Sequence, residues 1–306
     1  MNEMYNMIGS EEELKWFFDH ALFPLGLTES YLFVLCSRHK KLTKEEQEEL
    51  GLTRKSAEFL RSECLRRPKF KSHGHDDEKL ASLNENITYQ GFLRTIARFN
   101  VDKRAYVTET GAPIPDRTLA VLCYVNPSDD LKAWDEVVDK VEGVKTGIAR
   151  AALPCFHGDP ADPGVFGSFQ LFGNLPEMFK HAKAHCKGAR YWLDYDFDVT
   201  PEFKKDKYQE LRNYFAEKVG VGNYIIIDTS GGYHILIRTF TIRWNPHDIC
   251  KDLLAMAEGY SNEKTECIVN DSQIPGIPLP GTLQYGRLVT VANKDDFATT
   301  SQEKEG

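Results

Sequence analysis

The sequence predicts an α+β protein, with a mainly helical region over residues 1–100 and a mixed core over 101–306. Within that core an α/β module precedes a second module, about 188–295, that follows the split β-α-β-β-α-β pattern of ferredoxin-like domains. Three observations carry the expectation. Capping-box spacings open the early segments, strand-like patterning begins at Lys103, and the last third of the chain alternates strand, helix, strand, strand, helix, strand.

In the first hundred residues, Ser10 with Glu13 and Thr43 with Glu46 have the spacing of a capping box. TESYLFVLCSRHKK (28–41) sets an apolar run between polar ends and reads as helical. Residues 54–71 (RKSAEFLRSECLRRPKFK) hold seven Lys/Arg against two Glu, which suits either a solvated helix or a phosphate-facing surface. From Lys103, AYVTET, the turn residues GAPIPD and TLAVLCYVN predict two strands, and DLKAWDEVVDKV a helix stopped at Gly143. The Gly-, Pro- and Asp-rich stretch 155–173 reads as a loop. A strand over 191–197 then leads to Thr200-Pro201-Glu202, an N-cap with proline at the first helical position, and a helix ending at Gly220. NYIIID (223–228), the turn TSGG (229–232) and YHILIRTF (233–240) form a tight strand pair. Asn245-Pro246 opens a helix toward Gly259, ECIV (266–269) is a fourth strand, and RLVTVAN (287–293) an additional one.

At 306 residues the chain can bury a core without disulfides, and its seven cysteines are scattered with no CxxC pair. No stretch resembles a signal peptide or a membrane span, so the expected setting is intracellular, cytoplasmic or, in a eukaryote, nuclear, with no membrane partner. A net charge of −8 argues against coating nucleic acid by bulk electrostatics. The densest positive charge, Arg54, Lys55, Arg61, Arg66, Arg67, Lys69 and Lys71, is the candidate surface for a template strand.

YWLDYDFDVT (191–200) raises the functional question. Period two puts Trp192, Asp194, Asp196 and Asp198 on one face of a strand and Leu193, Tyr195 and Phe197 on the other. Carboxylates about 6.8 Å apart along one face repel one another unless something relieves them. Divalent ions about 4 Å apart, clamped between such carboxylates, are the arrangement of in-line phosphoryl chemistry. Asp198, beside Val199-Thr200, equally fits a solvated strand end. In the split topology the first and third strands are central neighbours and the fourth flanks the first, which brings Asp194, Asp196, His234 and Asp271 to one open surface. A histidine, His234, beside Ser230-Gly231-Gly232, whose small residues leave backbone N–H groups exposed, can grip a triphosphate. Each part has a plain alternative: SGG as a hairpin turn, His234 as a satisfied core histidine. The joint order DxD, SGGYH, ND is what points to metal-dependent chemistry on phosphates.

Those three segments resemble the motifs of the archaeo-eukaryotic primase superfamily, which includes primase-polymerases: WLDYDFD the first, TSGGYHILI the second, VNDSQIPGIPLPGTLQYGRLVTV the third. The resemblance covers roughly residues 103–293 and implies a primase-polymerase-like catalytic core whose second module is RRM-like. It implies Mg²⁺ or Mn²⁺ held by Asp194, Asp196 and Asp271, and an incoming nucleotide contacted by Ser230, Gly231, Gly232 and His234. The implied activity is template-directed nucleotidyl transfer from nucleoside triphosphates on a single strand. The chain contains no GxxxxGK[ST] loop, so any unwinding is expected from a separate helicase or a missing domain. Many members place an arginine or lysine between the serine and histidine of the second motif; this chain has none, and Arg238 or Arg287 is the expected substitute. Many also carry a zinc-binding insertion. Cys155, His157, His181, His185 and Cys186 are candidate structural-zinc ligands, but no CxxC pair frames them and His181 and His185 also fit one helix face.

Two other readings share the sequence. A metal-dependent nuclease or phosphodiesterase would keep the ions and use water. A non-catalytic RRM-like module would stack single-stranded bases on aromatics, which calls for rings and Lys/Arg where this sheet face has Asp194, Asp196 and Asp198.

Overall fold

The computed structural model describes residues 3–38, 42–50, 57–67, 86–108, 111–139, 179, 182–183, 186–270 and 276–298. Two antiparallel sheets organise them. The first holds β1 (Glu29–Arg38), β2 (Ala57–Arg66), β3 (Leu119–Tyr124), β4 (Ser128–Asp129) and β9 (Gly276–Pro278), in the order β2-β1-β3-β9 with β4 paired to the start of β1. Helices α1 (Glu11–Ala21) and α3 (Tyr89–Ala97) pack Leu14, Phe17, Phe92 and Ile96 against Tyr31, Phe33 and Leu35 of β1 in one core.

The described residues of the first hundred are therefore not mainly helical. Both caps exist: Ser10 Oγ accepts from Glu13 N, and Thr43 and Glu46 cap reciprocally. They open helices of only 11 and 6 residues, α1 and α2 (Lys44–Glu49). The apolar run they flank is β1, a central strand buried on both faces, and such a strand shows a continuous apolar run that periodicity does not separate from a buried helix. The basic segment is likewise a strand over Ala57–Arg66, at the sheet edge among the described residues, where charge guards against edge-to-edge pairing. As far as it is described, to Thr108, AYVTET forms no strand: a 3₁₀ turn at Lys103–Ala105 and a single bridge from Val107 to Pro113 replace it, since two prolines in GAPIPD cannot donate to a ladder. DLKAWDEVVDKV is helical as far as it is described, over 130–139 (α4). Gly143 and the 155–173 loop lie outside the described residues.

The second sheet matches the split pattern. β5 (Trp192–Asp198), α5 (Pro201–Val219), β6 (Tyr224–Asp228), β7 (Gly232–Arg238), α6 (Pro246–Met256) and β8 (Glu266–Asn270) follow in sequence. The strand order is β12-β6-β7-β5-β8, where β12 is Thr290–Val291, so β5 and β7 are central neighbours and β8 flanks β5. Thr200 Oγ1 caps α5 by accepting from Phe203 N, and Gly220 ends it at φ 84°. Helices α5 and α6 cover the face made by Leu193, Tyr195, Phe197, Ile226 and Ile235. On the opposite face Trp192, Ile225, Ile227 and Leu236 join the core of the first sheet. Between the sheets lies a hairpin, β10 (Leu283–Gln284) with β11 (Arg287–Leu288), and a short helix α7 (Asp295–Ala298) follows β12. No helix among the described residues is long and apolar enough to cross a membrane.

Candidate active site

Along β5 one face passes from core to cleft. Trp192 is fully buried and Asp194 is too, whereas the Asp196 side chain is 42 % exposed. The acidic face is thus part core, contrary to the expectation of an open surface, because the first sheet closes over its Trp192 end. Asp194 remains tolerable there through its hydrogen bonds: Oδ2 accepts from Asn270 Nδ2 at 2.7 Å, and Oδ1 lies 3.1 Å from His234 Nδ1. His234 sits opposite Asp196 in the β5–β7 register, with Nε2 3.5 Å from Asp196 Oδ1. The imidazole bridges both carboxylates. Burial pulls its pKa down, but the charge and hydrogen bond of Asp194, aided by Asp196, outweigh burial and hold it at about 8. At neutral pH the ring is an imidazolium: Nδ1–H donates to Asp194, and Nε2–H faces Asp196 and the cleft.

A residue that sequence reasoning missed completes the cluster. Arg38, the last residue of β1, stands within electrostatic reach of Tyr285, Asp196 and His234. Tyr285 packs on Cys36, Ala120 and Leu122 of the first sheet and donates its backbone N–H to Leu119 O at 3.0 Å. It does so at φ 54°, with Gly286 at φ 79°, the two-residue turn that a tight hairpin requires. A tyrosine in left-handed backbone is the one signal in the sequence that could have marked this loop, and only with the turn geometry in hand.

The second motif departs from expectation in its backbone. Thr229 Oγ1 accepts from Gly231 N and Gly232 N, and Gln284 Oε1 accepts from Ser230 N at 3.1 Å. The three amides expected to grip a triphosphate are turned inward to protein acceptors. Gly232 is required for another reason: a Cβ there would lie 2.1 Å from Phe197 O across the β5–β7 pair. Beyond the turn, a pocket of about 620 Å³ is lined by Asp198, Thr200, Ser230, Gly231, Lys264 and Glu266, among others. It adjoins the acidic pair at Asp198 and Ser230 and does not include Asp194 or His234.

Neither expected substitute arginine joins the cluster directly. Arg287 Nη2 pairs with Asp228 at 2.8 Å, an aspartate also held by Lys204 Nζ at 2.5 Å. Arg238 stands at the far end of β7, opposite Trp192. Of the basic segment, Arg61 pairs with Glu63 at 2.7 Å and Arg66 with Asp130 at 2.8 Å, so both are partly neutralised, and Arg67 lies beside them just past the strand. Arg54, Lys55, Lys69 and Lys71 lie outside the described residues, as does Asp271, which follows the Asn270 that pairs with Asp194. Of the zinc candidates only Cys186 is described; its Sγ donates to Glu136 Oε2 at 3.4 Å. Among the described residues no group of three or more His, Cys, Asp or Glu side chains is arranged to hold a metal ion.

In comparisons with known proteins, no family model, no curated protein and no solved structure matches the chain.

Proposed function

We propose that the chain is a metal-dependent, template-directed nucleotidyltransferase of the primase or primase-polymerase type. One observation carries the reading: a histidine, His234, held between Asp194 and Asp196 on the two central strands of a split β-α-β-β-α-β sheet, with one carboxylate buried and the other open to solvent. The donor set suits hard divalent ions. Asp194 and Asp196 offer only oxygen, and Mg²⁺ sites commonly use one or two carboxylates with the remainder from water and substrate phosphates. Asp194 and Asp196 would hold the ions, with Asp271 next in sequence to their neighbour Asn270. Bound ions would supply charge neutralisation at the transferring phosphoryl group.

The chain's own residues account for the rest. Asn270 and His234 fix the Asp194 carboxylate by hydrogen bonds on both of its oxygens. His234 can turn Nε2–H from Asp196 to a phosphate oxygen once another cation balances that carboxylate. Arg38 brings a permanent positive charge to the same cleft from the first sheet. In the reaction a strand's 3′-hydroxyl oxygen gives up its proton to solvent and bonds to the α-phosphorus, the bond from that phosphorus to the bridging oxygen breaks, and pyrophosphate leaves with the electron pair.

With the amides of residues 230–232 turned inward, the SGG turn offers a triphosphate no exposed N–H cradle, so it does not favour nucleotidyl transfer over hydrolysis. The deciding assay therefore supplies both substrates. Protein, single-stranded template, Mn²⁺ or Mg²⁺ and labelled nucleotides, with and without primer, should yield extended labelled strands, and Asp196→Asn should not. Shortening of an end-labelled strand without incorporation would make the chain a nuclease; binding of the strand with neither change would make it a non-catalytic module.

A further inference from the structure

The end of β5 and β7 away from the SGG turn carries a second cluster. The Arg238 guanidinium lies over three rings: Phe23 at 5.4 Å, Trp192 at 5.5 Å and Phe240 at 5.9 Å. No carboxylate pairs with it among the described residues, and its Nε is buried without an acceptor. Ring packing explains where the guanidinium sits but leaves its hydrogen-bond donors without protein partners, an uncommon state for a buried polar atom. Around it the surface is aromatic and cationic. Phe240 is 61 % exposed, and Phe23 stacks on Tyr191 with centroids 4.3 Å apart and planes within 21°. Arg190 and Arg243 are exposed beside these rings: Thr239 Oγ1 donates to Arg190 O at 2.8 Å, and Arg243 Nη1 donates to Phe240 O at 2.8 Å. Glu29, the acid within electrostatic reach of Tyr191, is already engaged, accepting from Ala189 N and Gly26 N.

An exposed Phe240 ring, the half-buried Phe23 and Tyr191 beside it and three arginines together select a ligand that alternates anionic groups with flat ones. A duplex presents its phosphates while keeping its bases stacked on each other. An acidic peptide carries charge without a series of planar groups. A single strand offers both, and stacking on aromatics with arginine alongside is how such strands are held without regard to sequence. We propose that Phe240, Phe23 and Tyr191, with Arg190, Arg238 and Arg243, form a platform that holds single-stranded nucleic acid. The platform begins about 13 Å along the strands from Asp196, four residues away. Naming this strand the template rests on the nucleotidyl-transfer reading.

The test measures equilibrium binding of the full chain to labelled single-stranded DNA, single-stranded RNA and a duplex over a salt series. Phe240→Ala, an exposed position, should weaken single-strand binding about tenfold, with the duplex little affected. Arg190→Glu with Arg243→Glu should flatten the slope of log affinity against log salt by about 1.4, at ~0.7 per lost phosphate contact. Mn²⁺ affinity should stay unchanged in both variants, which also shows them to be folded. Wild-type protein that binds no single strand, or binding that neither variant alters, or equal loss on the duplex, overturns the platform. Incorporation with Phe240-insensitive binding sinks the platform alone; Phe240-sensitive binding without incorporation sinks the catalytic reading alone.

Discussion

Asp194 and Asp196 share a strand face two residues apart, yet solvent access gives them different parts. Asp196 is half open, so Asp196→Asn should leave the fold intact and abolish Mn²⁺-dependent incorporation, checked by the primer assay and by circular dichroism. Asp194 is buried and accepts from both Asn270 and His234, so Asp194→Ala strands one buried donor and one half-buried one. It should lose activity and also about 1–3 kcal/mol of stability by urea titration. Repulsion between the carboxylates alone would have suggested no loss, but the hydrogen bonds outweigh it. His234 makes the site pH-dependent. Its folded pKa, about 8, lies above the unfolded value of 6.5, so its contribution is complete below pH 6.5 and disappears as pH rises through 8. That shift is worth about 2 kcal/mol. Without divalent ions, the stability gap between wild type and His234→Gln should shrink by about that much from pH 6 to pH 9; a gap independent of pH would mean the ring is neutral. Arg38 gives a prediction of opposite signs. Removing a positive charge near Asp196 should tighten Mn²⁺ binding in Arg38→Ala and weaken nucleotide binding, whereas a merely structural role would weaken both.

At the scale of elements, the stretch from β5 to β8 was legible and the first hundred residues were not, for physical reasons. Trp192 to Asp198 alternates because its two faces meet different surroundings, and Thr200-Pro201, Gly220 and Asn245-Pro246 mark helix ends by their own backbone chemistry. The split topology then followed from order alone. β1 offers no alternation because α1 and α3 pack one of its faces and its other face is buried as well, and β2 and β9 reach it or its neighbour from distant parts of the chain. Arg38 was invisible as a site residue for the same reason, since 156 residues separate it from Asp194 and only the packed sheets bring the two together. The SGG turn was read correctly as a turn and wrongly as an open amide cradle, because the hydroxyl of Thr229 and the distant Gln284 take its N–H groups. Its glycines separate cleanly by mutation. Gly232→Ala drives a Cβ into Phe197 O and should cost on the order of 3 kcal/mol by parting β5 from β7. Gly231→Ala meets only Asp198 Oδ1, at 3.0 Å, and should cost well under 1 kcal/mol, the contrast being measured by thermal melts of the two variants.

For the whole molecule, the two sheets share one apolar core: Trp192, Ile225 and Leu236 from the second lie with Phe33, Val121 and Ile277 from the first. A cleft between sheets needs such a joint, since Arg38 and Asp196 come from opposite sides of it. The joint has a polar pin. Asn126, buried just after β3, donates Nδ2 to Trp192 O at 2.8 Å and accepts at Oδ1 from Tyr191 N at 2.8 Å and Trp192 N at 2.9 Å. Trp192 Nε1 in turn donates to Ala21 O, which ties β5 to α1. Asn126→Ala leaves three backbone groups at the start of β5 without partners, and at about 1–3 kcal/mol for each of the two buried ones, Trp192 N and O, the loss should reach at least about 2 kcal/mol. Because the core is continuous, that loss should appear in both sheets at once. Tryptophan fluorescence, reporting Trp16, Trp134, Trp192 and Trp244, and far-ultraviolet circular dichroism should shift to lower urea together and stay superimposable. If fluorescence moved first and left a circular-dichroism plateau, the second sheet would be melting from a first sheet that stands alone. The cleft would then be a contact between independent units, and a substitution at Asn126 would alter Arg38-dependent nucleotide binding without touching Mn²⁺ binding at Asp194 and Asp196.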